Sequence, residues 1–317
     1  MGGTLEAARG IANAVGEDSS VTSVAGPSLV RERTPDIERG MVLAGRYQIE
    51  EVLGKGGSGL VLRAFDRAAQ MLVAVKVLKQ ELVHDPRWSM RFARELRLGR
   101  MIRHRNVCRI FDIGEGDGYR FLTMELATGG TLRDLVKKGS PLRPFAERLA
   151  DARAAISGLS AIHEAAIVHC DVKPDNMLRM EDGRLVLSDL GLATDVSEAA
   201  AVTSVVGTPR YMAPEIRAGE PATQGSDVWA LGIALHEIFF GKRPVERASN
   251  GTEGYSKRPA PLTSTPIARA MLSLCESCLA EIPVERPANA NAVGRLFEAA
   301  RRRLRVPKLL SGRPAGP

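Results

Sequence analysis

The stretch His169-Cys170-Asp171-Val172-Lys173-Pro174-Asp175-Asn176, followed by Asp189-Leu190-Gly191 at the end of an apolar run, decides how this chain is read. Two loops there carry two carboxylates, an ammonium and a side-chain amide, an inventory suited to moving a phosphoryl group with help from Mg²⁺. Asn176 follows Asp171 by five residues, so one short loop can offer a carboxylate to orient a hydroxyl and a carbonyl to hold a metal. Asp-x-Gly is also a common turn composition. Its place after the loop of Asp171 and Asn176 favours the metal role, and Gly191 is expected to free the backbone to turn.

Working toward the N-terminus, Gly54-Lys55-Gly56-Gly57-Ser58-Gly59 satisfies G-x-G-x-x-G. That pattern also marks dinucleotide sites, in which the glycines open a helix. Here the apolar run Leu60-Val61-Leu62-Arg63-Ala64-Phe65 follows and stops at Asp66-Arg67, so strand, glycine turn and strand are predicted. Such a turn closes backbone N–H groups over phosphates. In the next strand, Met71-Leu72-Val73-Ala74-Val75-Lys76-Val77-Leu78, alternation places Leu72, Ala74, Lys76 and Leu78 on one face. Lys76 is then a snorkelling edge lysine or a phosphate clamp, and Ala74 beside it suits a flat ring. Residues 86–104 are predicted as a helix with Phe92, Glu95, Leu96 and Gly99 on its inward stripe. A glutamate on that stripe requires a cation, either Lys76 across the interface or Arg91 one turn back on the same helix.

Together these motifs resemble those of eukaryotic-type (Hanks-type) Ser/Thr protein kinases, in the expected order from about residue 47 to 303. The resemblance implies an α+β, two-lobed fold: a small lobe (47–126) of antiparallel sheet with one key helix, a hinge near Leu126, and a larger, mainly helical lobe (127–303). It implies an intracellular signalling enzyme, bacterial in source, that uses ATP and Mg²⁺ to phosphorylate serine or threonine in proteins, itself among them. Asp171 would orient the acceptor hydroxyl and take its proton. Lys173 and Lys76 would bind phosphate, Glu95 would pair with Lys76, and Asn176 and Asp189 would hold the metal. The nucleotide would lie among Leu53, Gly54, Lys55, Gly56, Gly57, Ser58, Gly59, Leu60, Val61, Ala74, Lys76, Met124, Glu125 and Ala127.

Further downstream, Gly207-Thr208-Pro209-Arg210-Tyr211-Met212-Ala213-Pro214-Glu215 resembles the end of the family's activation segment. By the same resemblance Glu215 would pair with Arg286, and Asp227 in Asp227-Val228-Trp229-Ala230-Leu231-Gly232 would reach back to the catalytic-loop backbone. Lys173 and Thr208 favour Ser/Thr over Tyr as acceptor.

The family pattern is broken at Cys170, where most members carry an arginine that meets an activation-loop phosphate through a charge-assisted contact. A thiol cannot do this, so activity is expected to depend little on phosphorylation at Thr203 and Ser204. Cys170 is expected to be an inert small residue, with a redox role as the lesser alternative. Gly99 stands where relatives carry a larger apolar residue. A loosened helix there would leave the Lys76–Glu95 pair waiting for an activator protein or a second copy, or leave the chain a pseudokinase scaffold. No key residue of the phosphotransfer set is missing, which argues against the scaffold. A small-molecule kinase would lack the 207–215 segment. Leu190 replaces the usual phenylalanine and should keep its packing.

With 317 residues, 44% hydrophobic and 26% charged, the chain can bury a two-lobed core. Residues 228–240 are the longest apolar stretch, interrupted by His236-Glu237 and short of the roughly 20 residues of a membrane span. No transmembrane segment, signal peptide or myristoylation signal is read, and a cytoplasmic location is expected. Residues 1–40 read as a flexible tail in which Ser19, Ser20, Thr22, Ser23 and Thr34 are candidate autophosphorylation sites, and 304–317 as a basic tail. Net charge is +7 with a basic run at 301–305. No groove-reading element accompanies it, so no nucleic-acid partner is expected. Cys275-Glu276-Ser277-Cys278 lies in a helix-like segment without further ligands at zinc spacing, and buried cysteines are expected.

Overall fold

Six segments of alternating apolar and polar residues pair into one antiparallel sheet: β1 (Val42–Leu43), β2 (Tyr47–Gly56), β3 (Gly59–Asp66), β4 (Met71–Leu78), β5 (Ile110–Gly116) and β6 (Tyr119–Met124), in the order β1-β2-β3-β4-β6-β5. The structure is a computed structural model that describes residues 37–56, 59–78, 86–136, 142–191, 193–195, 208–249, 252–256 and 265–303. Of 55–56, 86–92, 195, 245–249 and 252–256 it describes the backbone alone. Of the expected tails at 1–40 and 304–317, residues 1–36 and 304–317, with Ser19, Ser20, Thr22, Ser23 and Thr34, lie outside the described residues, as do Gly57, Ser58, Thr203, Ser204 and Gly207. Residues 37–40 are no free tail, since Ile37 is buried against the sheet and the Gly40 amide donates to the Ile49 carbonyl at 2.8 Å.

Turn chemistry fixes the register. Asp117 and Gly118 both have positive φ, 53° and 77°, the two-residue turn that matches the twist of paired strands and sets Gly116 opposite Tyr119. Asp66 closes the β3–β4 turn by accepting the amides of Ala68 and Ala69 at 2.9 and 3.1 Å. Its carboxylate also takes two bonds from Arg46, at 2.8 and 2.7 Å.

Both faces of the sheet are covered. Val73, Val75 and Val77 of β4 join Leu43, Tyr47, Ile49, Leu62 and Phe121 in an outer cluster. Ala74 and Leu78 point the other way, toward Ile110, Leu122 and Met124. Lys76 shares that second face by parity, so a charged group enters the space between the sheet and the rest of the chain.

Helix α1 spans Pro86–Met101, three residues shorter than expected, because the His104 ring accepts the Asn106 amide at 3.1 Å and turns the chain. Its inward stripe carries Glu95, Leu98 and Gly99, all buried, with Ile102 buried just past its end, and Leu96 packs against the cluster beneath the sheet. Leu96 is only partly covered, and the Phe92 side chain lies outside the described residues. A Cβ on Gly99 would stand 2.5 Å from Ile110 Cδ1. Ile110 thus fills the space a longer residue at 99 would need, and the helix is seated on β5 rather than loosened. Gly99→Leu is therefore expected to push α1 off β5, cost about 1–3 kcal/mol of stability by overpacking and lower turnover by about 10²-fold through misplacement of Glu95. Thermal unfolding and initial rates check this, and unchanged rates would contradict it.

The large lobe is built on α2 (Leu132–Leu135), α3 (Phe145–Glu164), α4 (Pro214–Arg217), α5 (Gln224–Phe240), α6 (Pro266–Cys278) and α7 (Ala290–Arg303), with short strand pairs β7 (Ile167–Val168) with β10 (Thr194–Asp195), β8 (Met177–Arg179) with β9 (Leu185–Leu187), and β11 (Val245–Ser249) with β12 (Thr252–Ser256). Helix α5 is buried along 226–240, as expected for a helix apolar on all sides. It starts in a capping box of Thr223 and Ser226 and stops at Gly241 in the left-handed conformation, φ 69°. A Cβ on Gly232 would approach Cys278 Cβ to 2.7 Å, so the glycine permits the close packing of α5 on α6. Cys275 and Cys278 are buried free thiols. Among the described residues no helix is long and apolar enough to cross a membrane, and no cluster of potential metal ligands is made of His, Cys, Asp and Glu alone.

Candidate active site

A cleft of about 460 Å³ opens beneath the sheet, between β2, β3, β4, the segment after β6, and the loops of the large lobe. Leu53, Gly54, Val61, Ala74, Lys76, Met124, Glu125 and Ala127 line it, together with Glu95, Asn176 and Asp189. Leu60 does not, which corrects its expected role: it neighbours Val61 on one strand, so parity sends its side chain into the outer cluster, 2% exposed. Lys55 and Gly56 form the last rungs of the β2–β3 ladder opposite Leu60 and Gly59, and their side chains lie outside the described residues.

Three charged groups converge at the inner end. Lys76 Nζ donates to both carboxylate oxygens of Glu95, at 3.2 Å each, and to Asp189 Oδ1 at 2.7 Å. Burial alone would lower the Lys76 pKa, but Glu95 and Asp189 outweigh it and hold the ammonium above its ordinary range. Burial pushes the Glu95 carboxyl up, against the opposing pull of Lys76, and Asp189 adds to the rise. At Asp189 burial also works upward, yet Lys76 prevails and the carboxyl lies below its ordinary value. This leaves Asp189 ionised, with its side chain 40% exposed, as a cation site requires.

The chain turns at Asp189 itself, φ 66°, and not at Gly191 as the sequence suggested. Gly191 is needed for room: a Cβ there would lie 3.1 Å from Glu95 Oε2 and 3.2 Å from Asp189 Oδ1. Leu190 is buried in the main core. Cys170 is a second non-glycine residue in the left-handed region, also at φ 66°. Two such positions, each of order 1–2 kcal/mol in cost, bracket the site and persist because the surroundings fix them.

Asp227 of α5, 2% exposed, holds the loop at Cys170. Its Oδ2 accepts the His169 amide at 2.7 Å and its Oδ1 the Cys170 amide at 2.9 Å. The His169 ring accepts the Asp171 amide at Nδ1, 3.3 Å, which leaves Nε2–H to donate to the Ser188 carbonyl at 3.1 Å. The ring thereby joins the loop of Asp171 to the strand that ends at Asp189.

Within the loop, Asp171 Oδ2 accepts Lys173 Nζ at 2.6 Å and Asn176 Nδ2 at 3.0 Å. Its Oδ1 accepts the Thr208 hydroxyl at 2.8 Å and amide at 3.2 Å, and Lys173 also reaches that hydroxyl at 2.7 Å. The Asn176 amide nitrogen is spent on Asp171, so its Oδ1 is the atom able to hold a cation.

The Cys170 thiol is held above its ordinary range by burial first and then by Asp227 and Asp171. Its Sγ lies 3.7 Å from the Val168 carbonyl. A protonated, half-buried thiol fits the inert role and not the redox one.

Several lining residues escaped the sequence reading, among them Leu178 and Thr131. Leu178 lies on β8, directly after the 3-10 turn Pro174–Asn176, so no strand parity links it to Asn176. Arg133 was not legible either. It donates to Asp175 at 3.2 Å and Glu237 at 3.1 Å and also to the Tyr211 hydroxyl, a junction of α2, the catalytic loop, the 209–211 turn and α5 that only the folded chain brings together.

Residues 47–297 match the family described as the protein kinase domain. The serine/threonine-protein kinase PknL of Mycobacterium tuberculosis is 33% identical over 292 residues, which cover 88% of this chain and 72% of the relative. PknA of the same species is 34% identical over 289 residues, 87% of this chain and 66% of the relative. PrkC of Bacillus subtilis is 35% identical over 212 residues, 66% and 33% respectively. On this likeness and the two-lobed architecture around the cleft, the chain belongs to the protein kinase family, among its bacterial serine/threonine members.

Proposed function

We propose that the chain transfers the γ-phosphoryl group of ATP to serine and threonine hydroxyls of protein substrates, itself among them. The observation that carries this reading is Asp171, whose carboxylate already accepts a threonine hydroxyl at 2.8 Å with Lys173 at 2.6 Å, in loops shared with Asn176 and Asp189. The acceptor hydroxyl would take the place of the Thr208 hydroxyl at Asp171, which orients it and receives its proton. The hydroxyl oxygen forms the new bond to phosphorus while the bond to the nucleotide's bridging oxygen breaks. Lys173 and Lys76 hold phosphate oxygens, and Glu95 holds Lys76. Leu53, Gly54, Val61, Ala74, Met124 and Leu178 enclose the base, with the Glu125 carbonyl and Ala127 backbone at its polar edge.

The donor set, one ionised carboxylate and one amide oxygen on hard-ligand terms, fits Mg²⁺ at Asn176 and Asp189. Bound there, Mg²⁺ would neutralise charge that builds during transfer. Most of the rate gain lies in alignment and charge compensation. We assign the catalytic domain to 47–303, divided at 126/127, with tails outside it, and infer a cytoplasmic setting, where ATP and free thiols are at home. A scaffold reading has nothing in the cleft to favour it.

The test is Asp171→Asn. With labelled ATP and Mg²⁺ the parent should place label on serine or threonine, located by mass spectrometry, and the variant should be slower by about 10²–10⁴-fold while still binding nucleotide. Equal labelling of both would refute the role of Asp171.

A further inference from the structure

The pairing of β6 within the sheet ends at Met124, opposite Ala74 and Ile110, and at Glu125 the chain passes into a different set of bonds. On the reading of the cleft as an ATP site, on which this inference rests, we propose that Arg184, in the turn between β8 and β9, is a positioning residue for base selection. It holds Glu125 so that the carbonyl at 125 accepts the amino group of adenine and rejects guanine.

Arg184 does not line the cleft, whereas Glu125 does. The guanidinium spends each of its nitrogens. Nε reaches Asp182 Oδ2 at 3.0 Å, Nη1 reaches the Arg105 carbonyl at 2.9 Å, and Nη2 reaches the Glu125 carboxylate. Asp182 also accepts the Arg184 amide at 3.1 Å, which steadies the arginine at its root. The Arg184 and Glu125 side chains are 22% and 25% exposed, and a planar fork with three partners has little freedom left.

The segment that Arg184 joins to Glu125 is itself bound to β9. The Cys108 amide donates to the Leu187 carbonyl at 2.8 Å, the Leu187 amide to the Asn106 carbonyl at 2.9 Å, and Asn106 Nδ2 to the Leu185 carbonyl at 2.7 Å. Glu125 is tied to this segment through its backbone: its amide donates to the Arg109 carbonyl at 2.9 Å, and the Cys108 thiol donates to its carbonyl at 3.9 Å. With the carboxylate on Arg184, every polar group of Glu125 has a partner that fixes it.

A carbonyl oxygen has two lone pairs, so one remains for a ligand beside the Cys108 thiol. Adenine presents an amino donor where guanine presents a carbonyl acceptor. A carbonyl held in place pairs with the first, opposes the second, and cannot turn aside to relieve the clash. Freed from Arg184, it can shift, and the distinction between the bases declines. Lys76, Asn176 and Asp189 are untouched by that change, so the loss falls on KM for ATP rather than on kcat.

The test is calorimetric binding of non-hydrolysable ATP and GTP analogues with Mg²⁺ to the full chain, beside kcat and KM. Arg184→Ala should weaken the ATP analogue by about three- to tenfold and cut the preference for it over the GTP analogue by about tenfold. Glu125→Ala breaks the same contact from its other end and should match it, and the double variant should be no worse than either. Glu125→Gln keeps an oxygen for Arg184 and should retain most of the preference. An ion pair that only stabilises the fold would lower the thermal midpoint and leave the ratio of the two affinities alone. A preference within about twofold of the parent in both alanine variants, or losses that add in the double variant, would overturn the role of Arg184 while the parent still binds ATP. A parent that binds neither analogue would overturn the nucleotide reading of the cleft and this inference with it.

Discussion

Replacing Lys76 by Met is expected to lower kcat/KM for phosphoryl transfer by about 10²–10³-fold, with the protein still folded. Lys76 Nζ is the common partner of Glu95 and Asp189, at 3.2 and 2.7 Å. Methionine keeps the volume and removes every one of those bonds. What remains is a carboxyl that is 2% exposed beside a second carboxylate, and such a group relieves itself by binding a proton. The Glu95 pKa, already raised by burial, should rise further in the variant.

The sign follows from proton counting. Between the ordinary carboxylate pKa and the raised one, the folded state holds a proton that the unfolded state has lost, so stability falls as pH rises. The variant should thus lose more stability than the parent between about pH 5 and pH 8, and should nearly match it at the acid end of that range. Initial rates and thermal unfolding across this range check both parts. Rates within about twofold of the parent would remove Lys76 from the phosphate site.

The largest loss of stability is expected at Arg286→Ala, about 3–5 kcal/mol. The guanidinium is fully buried and every one of its nitrogens is used: Nη1 and Nη2 reach Glu215 at 2.6 and 2.8 Å, and bonds of 2.7, 3.1 and 3.2 Å go to the carbonyls of Ala280, Gly225 and Glu281. It also stacks on Trp229 at 4.9 Å. Alanine would strand a buried carboxylate and three carbonyls. Lysine cannot reproduce the fork and should recover little of the loss. An apolar pair at 215 and 286 should be less destabilised than Arg286→Ala, because it removes the stranded charge as well. Denaturant unfolding of the single and double variants measures this, and a loss under about 1 kcal/mol for alanine would contradict it.

Much of the site was legible because its residues obey short-range periodicity. Lys76 and Ala74 share a face by strand parity, and Glu95 lies inward by helical spacing. The same rule, applied one residue further, would have excluded Leu60, which sits opposite Val77 and not under the glycine turn. The α1 stripe was legible at Glu95, Leu96 and Gly99, and Leu96 packs against the cluster beneath the sheet; the burial of Leu98 widens that stripe, because the helix is covered from the large lobe as well. Gly191 was assigned to a turn, whereas the space between two carboxylates dictates it. Asp189 and Cys170 are both in the left-handed region; the Cys170 amide is held by Asp227 of α5 and the Asp189 carboxylate by Lys76 of β4, partners that only the folded chain supplies. Arg133 and the hold of Arg184 on Glu125 belong to tertiary packing alone.

The most direct test of the convergence of Lys76, Asn176 and Asp189 on a nucleotide's phosphates is a crystal structure with a non-hydrolysable ATP analogue and Mn²⁺, read by anomalous scattering. The metal signal is expected between the Asn176 amide oxygen and the Asp189 carboxylate, with the phosphates against Lys76. A nucleotide seated outside the cleft, or a metal held by other residues, would contradict the assignment.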